Sequence, residues 1–466
     1  MRALDSDGLR RAVAVPAVLS RALITAGVLA AAALVGMLSA QTRFAGLLLA
    51  AAPLALVLAV RALRALIVVA MAAIPFSADL LGGAVPGVQV AAADMLLAVC
   101  AAALLVPLVR DAQVRARLRT LRPLLLPLFV YGAALVVVLA GSLSFGSVAN
   151  SLQRVELALI PAVVAAIVMD ARTLRAGLRW YVVSSAALAV AFTIAQAVGS
   201  GDVLFGVQKN PAGQFIASGL LLAVGTNIFS ARTRAVLLPL LTIGLVTTQS
   251  RGALLAFALS LLVLLVFRGE VRRLRVGLLI AGISLFAIGA VGALPQTQQD
   301  RLFRTSGDSD YAVRIRDAYR DDALQIIRDN PFVGVGIGQY LAGDPRLDTQ
   351  TTDPHNVLLL EFAEGGFVLG ASFLVFAVVP VVVVLRRRQS HPLAAVAAAV
   401  HVGILSHGLV DTYWVRGTPV LGWLLLGYVV SSGTWGEGSG DEGRDGPRDR
   451  LRGAERPGRG ARSAVR

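Results

Sequence analysis

The sequence contains little charge and almost no cysteine. Charged residues make up 15% of its 466 residues, against about 25% in average soluble proteins, whereas hydrophobic residues make up 56%. A soluble fold could not bury so much apolar surface, so the composition predicts a protein with several membrane-spanning helices. The only cysteine, Cys100, lies in an apolar stretch, which excludes an internal disulfide and a thiolate metal cluster.

Lysine is nearly absent as well. Lys209 is the only one, so the formal net charge of +15 comes from arginine. A strongly basic chain can bind nucleic acid, but in a membrane protein basic residues gather in the cytoplasmic loops. We therefore expect the lipid bilayer as a partner and no nucleic acid.

Long apolar runs are what the sequence has instead. A helix needs about 20 such residues to cross a membrane, so the runs predict an all-α, polytopic transmembrane helical bundle of about 11–14 spans with one long, partly helical extracytoplasmic loop. The candidate spans are 22–40, 44–60, 63–81, 91–109, 123–141, 157–169, 180–199, 214–230, 235–249, 253–267, 276–293, 356–384, 393–410 and 418–432. We interpret the first of these as an uncleaved signal anchor.

Arginine clusters predict the orientation of these spans. An even number of candidate spans separates each cluster from the next, so the positive-inside rule places both termini in the cytoplasm. The clusters lie at 10–21, 61–64, 110–122, 172–179, 232–234, 268–275 and 386–388. The predicted organisation is a cytoplasmic N-terminus (1–21), an N-terminal bundle (22–293), an extracytoplasmic loop (294–355), C-terminal helices (356–432) and a disordered cytoplasmic tail (433–466).

The predicted loop 294–355 is the longest segment assigned to the outer face, where shorter loops such as 142–156 and 200–213 are also expected. It is net acidic, with ten aspartates against seven arginines. Loops of this length in a compact fold are usually functional. Apolar residues between Ile315 and Ile327 recur near helical spacing, which predicts a helix that ends at Asn330-Pro331.

Alternating glycines follow this predicted helix, at Gly334, Gly336 and Gly338. They resemble a phosphate-binding Walker loop only loosely, because no Lys-Ser/Thr pair follows. The spacing favours a strand-like stretch or a tight turn against which another backbone packs.

Arg251 is the first ionisable residue that needs an explanation. It lies between two short spans in the segment TQSRGA, 248–253. Charged residues at membrane depth cost about 2.5–3.5 kcal/mol on insertion scales and are functional candidates by default. The alternative is an interfacial arginine whose guanidinium reaches the lipid headgroups.

His355 and Asn356 form the second candidate, where the loop meets span 356–384. An imidazole exchanges its proton near neutral pH, so His355 could accept a proton from a hydroxyl. The alternative is that the pair only caps the helix, since asparagine is a good N-cap. Glu361 and Glu364 follow on the same helix and require a partner or a cavity.

Two further pairs of ionisable residues lie near the ends of predicted spans. His407 and Asp411 are four residues apart and are expected to form a structural pair on one helical face. Arg154 and Glu156 either line an outer cavity or face water.

The order of these motifs resembles the O-antigen ligase and polymerase family of membrane glycosyltransferases. The matching stretches are 248–253 (TQSRGA), the arginine-bearing helix with 323–336 (ALQIIRDNPFVGVG), and His355-Asn356 followed by Leu358, Glu364, Gly366 and Gly370. The family usually has an arginine followed by Trp or Tyr ahead of the Ala-Leu pair. Counting back from Ala323 favours Arg316, but the aromatic residue Tyr319 is displaced by one position, so Arg314 stays possible.

The resemblance implies a metal-independent, inverting glycosyltransferase without a cofactor. Its donor would be a glycan on a polyprenyl pyrophosphate, and its acceptor a sugar hydroxyl at the outer face of the cytoplasmic membrane. Arg251 and either Arg316 or Arg314 would bind the pyrophosphate, since guanidinium groups suit that anion. His355 would be the general base, supported by Asn356 and Glu364.

A transporter or flippase for a polyprenyl-linked glycan or another solute is the alternative function. It would use buried arginines as substrate clamps in broken helices near the bilayer midplane. The sequence shows no internal repeat that would favour this alternative.

Overall fold

The computed structural model describes residues 62–80, 88–198, 203–204, 206–268, 308–344, 349–351, 353–411 and 414–432. Within them the chain forms helices α1 Ala62–Ala73, α2 Ala92–Arg110, α3 Ala112–Thr120, α4 Arg122–Leu139, α5 Phe145–Val168, α6 Ala171–Ala197, α7 Lys209–Gly225, α8 Ala231–Thr247, α9 Arg251–Arg268, α10 Asp308–Asp329, α11 Val357–Arg386, α12 Ala394–Gly408 and α13 Val420–Ser431. The expected spans 22–40, 44–60 and 276–293, the signal anchor and the C-terminal tail lie outside these residues.

The expected all-α membrane bundle is confirmed. Six of the described helices (α2, α4, α5, α6, α9 and α11) are long and apolar enough to cross a membrane. Strand is confined, in the described residues, to two short antiparallel hairpins, β1 Val203–Leu204 with β2 Val207–Gln208 and β3 Ala342–Asp344 with β4 Thr349–Thr351.

One loop prediction is wrong. Residues 142–156 were expected at the surface, but α5 begins at Phe145, capped by Ser144, whose Oγ accepts the Ser147 N–H at 3.0 Å. The hydropathy pattern predicted a loop because the first turns of this helix are polar. Gln153 and Arg154 are nevertheless buried, each against polar partners. The second expected loop, 200–213, is likewise shorter, since α7 begins at Lys209.

Small residues allow the helices to pack closely. In the main packing pairs, α9 lies against α12, α5 against α13, and α4 against α11. On α13, a Cβ added to Gly427 would approach the backbone oxygen of Ala162 in α5 to 2.5 Å. Close backbone approach at small residues is how membrane helices gain dispersion energy where lipid offers no hydrophobic drive.

Arginines beside the C-termini of three helices donate to the carbonyls that these helix ends leave unpaired. Arg117 Nη1 donates to Ile167 O at 3.0 Å near the end of α5, and Arg387 Nη1 to Val430 O at 2.6 Å near the end of α13. Arg268 Nη1 donates to Gly225 O at the end of α7. Cations at a helix C-terminus also interact favourably with the helix dipole. The basic clusters therefore stabilise the fold in addition to any effect on orientation.

Helix α11 is broken where it meets the glycine turn, the segment 331–338. Gly366 has φ 57° and ψ −154°, a conformation that interrupts the helix. The turn supplies the missing backbone partners: the Phe367 N–H donates to Pro331 O at 2.7 Å, and the Gly336 N–H to Glu364 O at 2.8 Å. Interrupted helices are tolerated at membrane depth only when such groups are paired. The expected tight turn packed on another backbone is thus confirmed.

Helix α10 and the turn that follows it are held on the first half of α11 by a small apolar cluster. Tyr319 and Ala323 of α10 pack with Tyr340 and Ala363. The Tyr340 hydroxyl donates to Tyr319 O at 2.8 Å. The predicted helix in the long loop, ending before Asn330-Pro331, is confirmed, and its apolar face points to the bundle.

Replacing Gly244 by alanine should destabilise the bundle. A Cβ at this position of α8 would collide with Ala189 of α6, and overpacking of this kind costs about 1–3 kcal/mol. Gly132→Ala in α4 is the matched control, because no atom lies within 4 Å of its added Cβ and alanine favours the helix. In thermal unfolding of the purified protein in detergent, Gly244→Ala should lower Tm while Gly132→Ala leaves it unchanged or raises it. Equal Tm values would contradict the packing described.

Candidate active site

His355 and Arg316 converge on one carboxylate, that of Asp411. His355 Nδ1 lies 3.2 Å from Asp411 Oδ1, and Arg316 Nη2 lies 4.0 Å from the same oxygen. The Asp411 side chain is only 7% exposed, whereas that of Arg316 is 46% exposed. The three residues come from the segment before α11, from α10 and from the loop after α12, so the fold brings together groups that are distant in sequence.

The backbone around His355 fixes its imidazole. His355 has φ 54°, and its N–H donates to Asp353 Oδ1 at 2.6 Å. The ring of Tyr319 stacks on the imidazole with centroids 6.3 Å apart. Asn356 is the N-cap of α11, since its Oδ1 accepts the Leu359 N–H at 3.0 Å. The capping role considered for Asn356 is therefore correct.

Arg251 opens α9 near the same end of the bundle. Its side chain is exposed, and Ser250 precedes it as the cap, with Ser250 Oγ accepting the Ala253 N–H at 3.3 Å. The neighbouring Gly252 lies against His407, whose ring also interacts electrostatically with Asp411 and Arg316. Arg251 therefore lies at the positive N-terminus of α9, and the first turn of this helix packs against His407, a neighbour of Asp411.

Arg314 lies two residues before Arg316 in α10, and its side chain is not among those described. Arg316 is the candidate whose guanidinium the structure brings to Asp411.

Glu364 takes part in a buried charge cluster rather than in the His355 group. Arg154 of α5 lies between two acids of α11, with Nη1 3.1 Å from Glu361 Oε1 and Nη2 paired with Glu364. Tyr131 donates to Glu361 Oε1 at 2.9 Å, and the Gly338 N–H donates to Glu364 Oε1 at 2.8 Å. The three charged side chains are at most 6% exposed. The cluster ties α4, α5, α11 and the glycine turn together.

A cavity of about 350 Å³ is lined by the buried charge cluster and reaches Asp353, which accepts the His355 N–H. It lies among the first turns of α5 and α11, the glycine turn and the loop after α12. Asp353 lines it on the side of His355, and Arg154, Glu361 and Glu364 line it on the other side. Burial raises the pKa of the Asp353 carboxyl to about 6, although the neighbouring His355 opposes this shift.

Sequence reasoning missed Asp411 as a partner of His355, and it missed Arg416. Both lie on the loop between α12 and α13, and the Arg416 side chain is 8% exposed. Burial lowers the pKa of Arg416, and the charges of Asp79 and Asp411 oppose this shift. An arginine so close to the predicted C-terminal span was itself a signal, because ionisable residues near membrane depth are functional candidates.

No three His, Cys, Asp or Glu side chains come close enough to hold a metal ion among the described residues. The side chains that the structure does bring together offer an imidazole for proton transfer and guanidinium groups for anion binding.

Fold and site define a multi-pass helical membrane protein with an imidazole, a carboxylate and arginines at one end of its bundle. Residues 235–374 match the family model of the O-antigen ligase, which confirms the resemblance inferred from the motifs. The match includes Arg251, Arg316 and His355, whereas Arg154 and Asp411 lie outside it. No curated protein matches the chain. The family match, together with the membrane helices, supports a function in the assembly of a glycan at a membrane.

Replacing Arg154 by methionine should destabilise the protein strongly. Removing one partner of a buried ion pair leaves uncompensated charge and costs about 3–5 kcal/mol. The triple variant Arg154→Met, Glu361→Gln, Glu364→Gln removes all three charges, so it should recover part of the lost stability. Thermal unfolding in detergent of wild type, single and triple variants measures this. A triple variant no more stable than the single one would show that the charges do not act as one unit.

Proposed function

We propose that the protein transfers a glycan from a polyprenyl pyrophosphate to an acceptor hydroxyl at the outer face of the cytoplasmic membrane. The observation that supports this most directly is the shared contact of His355 and Arg316 with Asp411. It combines a general base with a cation suited to a diphosphate, within the segment that matches the O-antigen ligase family.

In this reaction His355 removes the proton of the acceptor hydroxyl. A hydrogen bond from its Nδ1–H to Asp411 selects the tautomer in which Nε2 carries the lone pair, and the carboxylate stabilises the imidazolium that forms. The acceptor oxygen attacks the anomeric carbon as the bond to the pyrophosphate oxygen breaks. Attack from the face opposite the leaving group inverts the configuration.

Arg316 and Arg251 stabilise the departing pyrophosphate. Its negative charge grows as the glycosidic bond breaks, and preorganised cations act most strongly on charge that develops in the transition state. Arg316 is half exposed and can reach a ligand, and Arg251 adds its charge to the positive N-terminus of α9. These groups supply the charge stabilisation that a metal ion provides in other transferases, so the proposed reaction is metal-independent.

One observation favours the transport alternative: α11 is interrupted at Gly366, and interrupted helices are typical of secondary transporters. Here, however, the backbone groups at the break pair with the glycine turn instead of remaining available for a substrate. We therefore favour transfer over transport.

Replacing His355 by alanine should slow transfer by about 10²–10⁴-fold, the usual contribution of a general base. Arg316→Ala should slow it by about 10²–10³-fold. Arg320→Ala is the matched control, since Arg320 lies one turn further along α10 and pairs with the exposed Asp317 at 3.5 Å. Transfer is measured in detergent with purified polyprenyl-pyrophosphate glycan and acceptor.

If His355→Ala retains full activity, His355 is not the general base. If no donor supports transfer but the protein moves the glycan lipid across proteoliposomes, the transport alternative is correct.

The proposed orientation, with both termini in the cytoplasm, is testable by cysteine labelling in a Cys100→Ala background, because the native cysteine is buried. Leu341→Cys, at a position that is 56% exposed near the candidate site, should react with a membrane-impermeant maleimide in intact cells. Gln389→Cys, exposed among the arginines after α11, should react only after permeabilisation. The reverse pattern would place the site on the cytoplasmic face.

A further inference from the structure

The cavity beside His355 has a lining that suits a polyhydroxylated ligand. Its volume of about 350 Å³ falls within the range of about 300–1,000 Å³ that is typical of small-molecule sites. Amide and hydroxyl side chains dominate the polar part of its wall, and they can both donate to and accept from ligand hydroxyls. They are Gln89, Ser144, Ser147, Asn150, Gln153 and Gln339.

The charges of the cavity oppose an anionic ligand. Three carboxyl side chains, Asp353, Glu361 and Glu364, line it together with one guanidinium, that of Arg154. Both Arg154 terminal nitrogens are already paired with the two glutamates. A phosphate group would meet an excess of negative charge here, whereas a neutral hydroxyl can donate to any carboxylate oxygen without an electrostatic penalty.

The carboxylate of Glu361, a residue that lines the cavity, has one oxygen without a donor among the described residues. Glu361 is 2% exposed, and its Oε1 receives bonds from both Tyr131 and Arg154. Its Oε2 has no hydrogen-bond partner among the described residues. Buried polar atoms are paired in the great majority of cases, but this oxygen is itself shielded from the cavity, so a ligand would meet the amide and hydroxyl groups of the wall instead.

We propose that this cavity binds a sugar ring, through its hydroxyl groups, next to His355. The inference rests on the proposed function and deepens it: the diphosphate contacts the exposed arginines, and a neutral saccharide unit occupies the acidic cavity. That unit belongs either to the donor glycan or to the acceptor, which offer the same hydroxyl chemistry.

The variant Gly146→Leu tests the cavity without removing a charge. Gly146 is the second residue of α5 and lines the cavity, so a leucine there would occupy its space. Ala149→Leu is the matched control, because it adds a leucine to the same helix at a position that does not line the cavity. Saturation-transfer NMR on the full-length protein in detergent uses methyl glucoside and N-acetylglucosamine as probes and inorganic pyrophosphate as competitor.

Signals from at least one sugar should appear with wild type and with Ala149→Leu, and should disappear with Gly146→Leu. Pyrophosphate should not displace the sugar, since it is expected at the arginines. Sugar signals that persist in Gly146→Leu, absence of signals in wild type, or competition by pyrophosphate would overturn the proposal. If Gly146→Leu fails to fold, Gln339→Ala at the exposed edge of the cavity replaces it, with weakened binding expected.

Kinetics then identify the source of the sugar. In the transfer assay, Gly146→Leu should raise KM by about tenfold or more, a loss of about 1.4 kcal/mol in binding. A rise for the acceptor alone assigns the cavity to the acceptor, and a rise for the donor alone assigns it to the donor glycan. Unchanged KM values with wild-type transfer would refute the cavity but leave the proposed function intact. Sugar binding without transfer from any donor would refute the proposed function but leave the cavity assignment intact.

Discussion

The pairing of the glycine turn with the broken helix α11 is the interaction on which the rest of the site depends. A helix interrupted at Gly366 leaves backbone groups that lipid cannot satisfy, and residues 331–336 provide their partners. Because the turn must lie there, α10 is held on α11 and Arg316 is brought to Asp411. The same constraint explains the positive φ of Gly334, where a Cβ would overlap the backbone of Glu364.

Buried charge imposes the second constraint. Arg154 could not remain in the interior without Glu361 and Glu364, and these acids could not lie two turns into a membrane helix without it. The cluster therefore fixes the register between α5 and α11. Additional hydrogen bonds from Tyr131 and from the Gly338 N–H attach the cluster to α4 and to the glycine turn. The geometry around His355 follows, since α11 begins directly after His355 and its cap Asn356.

The sequence predicted the helical membrane class, the helix in the long loop and the turn, and it offered Arg251, His355 and either Arg316 or Arg314 as candidate site residues, because these signals are local. Span length, helical periodicity and motif order are all readable within a few tens of residues. The partners of the buried charges could not be predicted from the sequence, because they are distant along the chain. Arg154 pairs with acids 207 and 210 positions away, and Asp411 pairs with a histidine 56 positions away. Hydropathy also assigned residues 142–156 to a loop, since polarity in the first turns of α5 indicates water unless the buried acids that pair with it are known.

The arginines near the candidate site have two roles, a structural one and a proposed ligand-binding one, and the burial of each side chain distinguishes the two. The Arg154 pairs are almost fully shielded from solvent, so breaking them is costly and the guanidinium is committed to structure. Arg316 meets Asp411 at 4.0 Å with nearly half of its side chain exposed, an arrangement whose contribution to stability is small. A weak, exposed contact can be exchanged for a diphosphate at little cost to the fold. The Asp411 carboxylate would then still be paired with His355, so anion binding need not disturb the orientation of the base.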